Sequence, residues 1–267
     1  MLFANLLIGL REGLEAAMVV TILAAYLTKS GHSKQMRWVW AGVAAAIAVT
    51  LAVFAIIYYG TKTLTTVGQE IIGGIGSLVA VALVSYMLLW MHGASKNMKA
   101  ELEGKLEHAI AVGPGSVFVL AFMAVVREGI ETALLVFDTF AYGSSATPAL
   151  GLSLGIAIAV AVAVAMYFGA IRINLRTFFR VTGILLVIVA AGILRYGLTD
   201  LQEAGLLPGL HTLAFDVSHI IAPGTALVTF IEGIFNLVPA PTTLSMVGWA
   251  VYLVIALYLF LRPTKKA

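Results

Sequence analysis

The sequence predicts an all-α polytopic membrane protein. It has seven transmembrane helices, arranged as an inverted three-plus-three repeat with one further C-terminal helix, N-terminus outside and C-terminus in the cytoplasm. Three observations predict it. Of 267 residues, 61% are hydrophobic and 11% charged, where a soluble domain carries about 25% charged residues. The basic residues gather on one set of alternate loops. An R-E-G-x-E motif occurs twice, 116 residues apart.

The spans come first. Apolar runs occupy about 3–28, 38–60, 69–92, 115–141, 149–171, 178–200 and 243–261. Each is long enough to cross a bilayer as a helix, about 20 residues. The mean hydropathy of +1.03 agrees. The first run is not a typical signal peptide, because it lacks a basic start and Arg11, Glu12 and Glu15 interrupt its centre, and it is expected to be retained as a span. Zero cysteines exclude disulfides and thiolate metal sites.

Lysine and arginine then orient the spans. Lys29, Lys34, Arg37, Lys96, Lys99, Lys105, Arg172, Arg176, Arg180, Arg262, Lys265 and Lys266 fall on one side, and Lys62 alone on the other. The remaining three, Arg11, Arg127 and Arg195, lie within spans. This is the pattern of a multi-pass plasma-membrane protein, the bacterial inner membrane being the natural setting. Nothing in the pattern suits nucleic acid; the surrounding partner is membrane lipid. Residues 94–111 read as a polar, solvated cytoplasmic connector helix. The segment 205–242 reads as an extracytoplasmic loop. Its apolar part, Thr225–Val238, is bounded by prolines and too short to span, so it is interfacial or re-entrant.

The repeat follows from the motifs. GLREGLEAAMVVTILAAY in the first span matches VVREGIETALLVFDTFAY in the fourth without a gap, so Arg11 aligns with Arg127, Glu12 with Glu128 and Glu15 with Glu131. One permease domain therefore has repeat 1 at about 1–92, repeat 2 at about 115–204, an outer loop at 205–242 and a last span at 243–261. Three spans per unit is odd, so the copies must be inverted. Transporters with such repeats place their site near the midplane.

Each motif puts Arg and the second Glu one helical turn apart on one face. A charge at a span centre costs roughly 2.5–3.5 kcal/mol on insertion scales. Two arginines against four glutamates leave a formal charge of −2, so protons, water or a bound cation must compensate. Gly13 and Gly129 sit between the carboxylates, where they would let the first and fourth spans approach and bring all four together. Oxygen donors without Cys or His suit hard cations such as ferric iron, Mn²⁺, Mg²⁺ and Ca²⁺. A proton-coupled carrier, or an intramembrane enzyme using paired carboxylates, would draw on the same residues.

Near or beyond the outer ends of the spans, Glu70, Asp138, Asp200, Glu203, Asp216 and Glu232 face only Lys62. An acidic mouth would concentrate cations. Asp138 lies about 10 Å beyond Glu131 along a helix, where a relay step between mouth and centre would fall. His211 and His219 flank Asp216 and read as ordinary surface residues or an accessory site. Arg195 is placed to neutralise Asp200 or a motif carboxylate. The scattered Met residues are packing.

The paired REGLE and REGIE motifs, their places in the first and fourth spans and the seven-span layout resemble the oxidase-dependent iron transporter family. That family includes fungal high-affinity iron permeases and bacterial EfeU-type ferrous-iron permeases. Ala204-Gly205-Leu206, Ala214-Phe215-Asp216 and Glu232-Gly233-Ile234-Phe235 look like the bacterial branch, and the likeness covers nearly the whole chain. It implies a transporter and not an enzyme, with iron as substrate and no prosthetic group. Glu12, Glu15, Glu128 and Glu131 would be the ligands, oriented by Arg11 and Arg127. It further implies a separate oxidase or peroxidase, ferric iron as the species passed, and iron capture by outer loops or a separate extracytoplasmic iron-binding protein. Manganese or lead would be the alternative cargo.

Overall fold

A computed structural model of the chain describes residues 2–62, 64–94, 98–141, 146–169, 175–219, 225, 231, 235 and 237–262. Eight α-helices are described: α1 (Leu2–Lys29), α2 (Met36–Lys62), α3 (Thr66–Ala94), α4 (Met98–Val112), α5 (Pro114–Ala141), α6 (Ala146–Tyr167), α7 (Leu175–Glu203) and α8 (Thr243–Leu261). A single 3₁₀ turn, Ser33–Gln35, joins α1 to α2. Every apolar run of the sequence has become one of the long helices, extended by a few residues at most ends.

Five of these helices, α2, α3, α6, α7 and α8, are long and apolar enough to cross a membrane. The other two long ones, α1 and α5, each carry an Arg and two Glu at mid-length. That charge lowers their apolarity, although both have 28 residues, enough for about 42 Å at 1.5 Å per residue.

Helix pairing is exchanged between the two halves. α1 packs most extensively against α6, α2 against α5 and α3 against α7. So the first helix of each half lies on the second helix of the other, and the third helices pair with each other. α1 and α5 also cross at the centre, and α8 closes the outside of α7. Small residues permit the close crossings. On α1, a Cβ at Gly13 would stand 3.1 Å from Ala159 Cβ and 3.3 Å from Ile156 Cα of α6; on α6, one at Gly155 would meet the Leu6 carbonyl and stand 2.7 Å from Leu10 N. Such contacts suit membrane interiors, where packing replaces hydrophobic drive between helices.

α4 departs from expectation. Glu101, Lys105 and Glu107 are exposed, with a Lys105–Glu101 pair at 2.6 Å. Leu106 and Ala109, however, are buried in a cluster with Leu23, Leu27, Val39, Val117 and Ala121. The connector is docked through an apolar stripe onto α1 and α5, because burying that stripe outweighs leaving it in water.

The described part of 205–242 is tied to the ends of α7 and α8. Leu213 and Thr242 form an isolated antiparallel bridge. Gln202, 2% exposed, accepts from Thr242 Oγ1 at 2.7 Å and donates to the Pro208 carbonyl at 2.8 Å. Thr242 also caps the N-terminus of α8 by accepting from Ser245 N. Most of the apolar stretch expected to be interfacial or re-entrant, Thr225–Val238, lies outside the described residues.

Candidate cation site

The α1–α5 crossing brings the two motifs face to face. Glu12, Glu15 and Glu128 each offer an oxygen, and these oxygens all lie within 4.8 Å of one another. Glu12 is 1% exposed, Glu15 8% and Glu128 9%. At 4.8 Å and an effective dielectric of 20, two carboxylate charges repel by roughly 3–4 kcal/mol. Such a group is stable only if protons or positive charge offset that repulsion.

The two arginines supply part of it, unequally. Arg11 is buried and reaches both carboxylates of its own motif, Glu12 at 3.3 Å and Glu15 at 3.4 Å. Arg127 has a half-exposed side chain and holds Glu131 at 3.0 Å, with Glu128 at 3.9 Å. This pairing leaves Glu131 outside the close trio. Glu12 Oε2 and Glu128 Oε2 remain buried with no hydrogen-bond partner among the described residues. Buried polar atoms are nearly always satisfied, and carboxylates this close can be satisfied by a shared proton or by a cation. Two guanidiniums cannot neutralise four carboxylates, and an oxygen-only donor set suits a hard cation.

The motif glycines act differently from expectation. Gly13 faces α6, against Ala159 and Ile156, and Gly129 faces α2, where a side chain would strike the Thr50 hydroxyl. They seat the second helix of the opposite half, and α1 meets α5 through its larger side chains. The reason is positional: a residue between two carboxylates on one helix face points away from that face. A cavity of about 560 Å³ lies between α1, α2, α5 and α6. Glu12 and Glu128 stand in its wall with Thr21, Thr50 and Thr132, and the remainder is apolar.

The outer acidic residues are less uniform than their spacing suggests. Asp200 is buried at the end of α7, Glu70 is half-buried in the first turns of α3, and Glu203 is exposed. Asp216 is exposed and accepts from Ser218 Oγ at 2.5 Å and Ser218 N at 2.9 Å. These bonds to Ser218 hold its carboxyl below the usual range, helped by the nearby His219. His211 and His219 are both exposed. Arg195 is buried within α7. Asp138 falls in the last turn of α5, its side chain outside those described, and Glu232 lies outside the described residues.

Sequence reasoning missed Asn5 and Thr139. Asn5 on α1 is 0% exposed and accepts from Thr139 Oγ1 of α5 at 3.1 Å. The available signal was a lone amide within an apolar span.

Comparison with known proteins gives one consistent answer. The profile described as the iron permease FTR1 family matches residues 2–264. Proteins named ferrous iron permease EfeU are 34% identical in Yersinia pestis, covering 99% of this chain and 95% of theirs, and 34% identical in Escherichia coli O6:H1, covering 99% and 97%. The protein of that name from Yersinia pseudotuberculosis is likewise 34% identical over 99% of this chain. No solved structure matches the chain.

Proposed function

The chain belongs to the iron permease FTR1 family, a multi-pass plasma-membrane permease, and we propose that its iron path runs along the α1–α5 crossing. The observation that carries this reading is the buried trio Glu12, Glu15 and Glu128, whose carboxylate oxygens converge within 4.8 Å of one another. Glu131 completes the ligand set once Arg127 releases it, and Arg11 and Arg127 hold the carboxylates in place and moderate their charge.

In this reading seven helices span the membrane, and α4 lies at the cytoplasmic face. The basic residues put the N-terminus outside and the C-terminus in the cytoplasm. Residues of about 1–92 and 115–204 are inverted copies, and the exchanged helix pairing supports that. Glu70, Asp200, Glu203, Asp216, Asp138 and Glu232 form the outer approach, which draws cations by charge.

The relatives carry ferrous iron in their name. Here the species handed along the carboxylates is ferric iron, made from ferrous iron by a separate oxidase or peroxidase outside the membrane. An all-carboxylate site favours the harder ion. An extracytoplasmic iron-binding protein would deliver it. The test is radioactive iron accumulation in iron-starved cells expressing the chain, with an oxidant supplied and withheld. Oxidant-dependent uptake supports ferric passage. Equal uptake with a ferrous chelator absent and oxidant withheld overturns it. Uptake of manganese or lead in preference to iron would reassign the cargo.

A further inference from the structure

The two motif frames carry different residues at one equivalent position, and the structure places both pairs on the same helix seam. Going from Glu12 toward the start of α1, the seam passes Ile8, which clusters with Leu135 and Val136. It then reaches the buried Asn5–Thr139 hydrogen bond. Going the other way, it ends in Leu23 and Leu27 against Val117 and Ala121. The 116-residue offset of the motifs maps Asn5 onto Ala121 and Thr139 onto Leu23. Leu23 and Ala121 are both 0% exposed and belong to one buried cluster. The repeat therefore places a polar pair at one end of the seam and an apolar pair in the equivalent place at the other.

That difference is mechanical. The apolar end is held by dispersion over many atoms and by α4 docked through Leu106. At the polar end the two helices meet through a neutral Asn5–Thr139 contact beside the Ile8 cluster; Thr139 Oγ1 also reaches the Val136 carbonyl at 2.8 Å, and water can replace the contact between the helices. Parting Asn5 from Thr139 exchanges a protein hydrogen bond for one to water. Opening the apolar end exposes hydrocarbon.

We propose that Asn5 and Thr139 are positioning residues that make the extracytoplasmic end of the α1–α5 seam the one that opens to admit the cation. This rests on the iron-path reading and the orientation given above. An apolar pair here would close the seam as tightly as its counterpart does, and would do so without a buried amide. Asn5 is also packed against α6, since a Cβ on Gly151 would stand 3.3 Å from Asn5 Cβ. Movement of this pair is thereby linked to the α1–α6 crossing beside the site.

The chain has no cysteine, so a single Ile8→Cys substitution gives a clean probe between the polar pair and the carboxylates. Whole cells are treated with a membrane-impermeant maleimide, and inverted vesicles with the same reagent. Labelling is read in the Ile8→Cys parent, with Thr139→Ser added, and with Asn5→Ala and Thr139→Leu added together to copy the other end. The expected result is labelling from outside in the parent and the Thr139→Ser form, and at least tenfold slower labelling in the doubly apolar form. Thr139→Val replaces the double change if that form fails to accumulate, with slowing again expected. Equal or faster labelling in the apolar form, or a parent labelled only from the cytoplasmic side or from neither, overturns the proposal. Labelling needs no iron, so loss of iron uptake with this pattern intact would count against the permease reading alone.

Discussion

Glu12 and Glu128 hold the same place in two motifs 116 residues apart, and they meet across the α1–α5 crossing with one carboxylate oxygen of each buried and lacking a hydrogen-bond partner among the described residues. A charge repeated in sequence thus becomes a charge concentrated in space. The predictions below follow from how that concentration is held.

The arginines should differ in their importance to the fold. Arg11 is fully buried between Glu12 and Glu15. Arg11→Ala would strand two buried carboxylates, and breaking a buried pair from one side costs about 3–5 kcal/mol. Arg127 is half-exposed, and Arg127→Ala should cost much less. Membrane abundance and thermal inactivation in detergent will check this. Equal loss in both variants would mean the burial difference has no energetic consequence.

Gly155→Leu should disrupt the α1–α6 crossing, because a side chain there runs into the Leu6 carbonyl and Leu10 N. Overpacking of this kind costs about 1–3 kcal/mol or more. Gly104→Leu on α4 has open space around it and should leave abundance unchanged. The pair of variants, expressed side by side, separates a packing requirement from a general intolerance of glycine replacement.

Much of this was legible in the sequence. The long helices followed from apolar runs, and the candidate site from the double motif, because a charged residue in hydrocarbon needs a reason. Helix partners were not legible. Gly13 and Gly129 signal close approach but not to which helix, and they seat α6 and α2. The docking of α4 was hidden by its charge, although Leu102, Leu106, Ala109 and Ile110 fall on one helical stripe. The unequal burial of Arg11 and Arg127 could not be read at all, since the two motifs match at both arginines and both glutamates.

Thr242→Val should loosen the end of the bundle where α7 and α8 meet the 205–242 segment. Thr242 Oγ1 donates to Gln202 and accepts from Ser245 N at the start of α8. Losing the cap and the buried bond together is expected to cost about 1–3 kcal/mol. Faster proteolysis of the 205–242 segment in intact cells would report it. Proteolysis at the parent rate would show that other contacts hold the loop.

Asp216 should act at the mouth as a charge that resists protonation. Its carboxyl lies below the usual range because Ser218 donates to it twice. A carboxylate lowered in this way stays ionised well into acid. Any stabilisation of the turn is present above its unfolded value and is lost only as pH falls through the lowered one. Asp216→Asn should therefore raise the KM for iron by a similar factor at pH 7 and pH 5.5, and the effect should shrink in high salt. A defect confined to pH 7 would contradict this.

The most direct test of the central claim is a double-mutant cycle on Glu12 and Glu128, read as initial rates of radioactive iron uptake at matched membrane abundance. If both carboxylates hold one ion, Glu12→Gln and Glu128→Gln should each reduce uptake at least tenfold, and the double variant should be little worse than either alone. Multiplying losses would mean two independent steps, and unchanged uptake in both single variants would place the iron path away from the α1–α5 crossing.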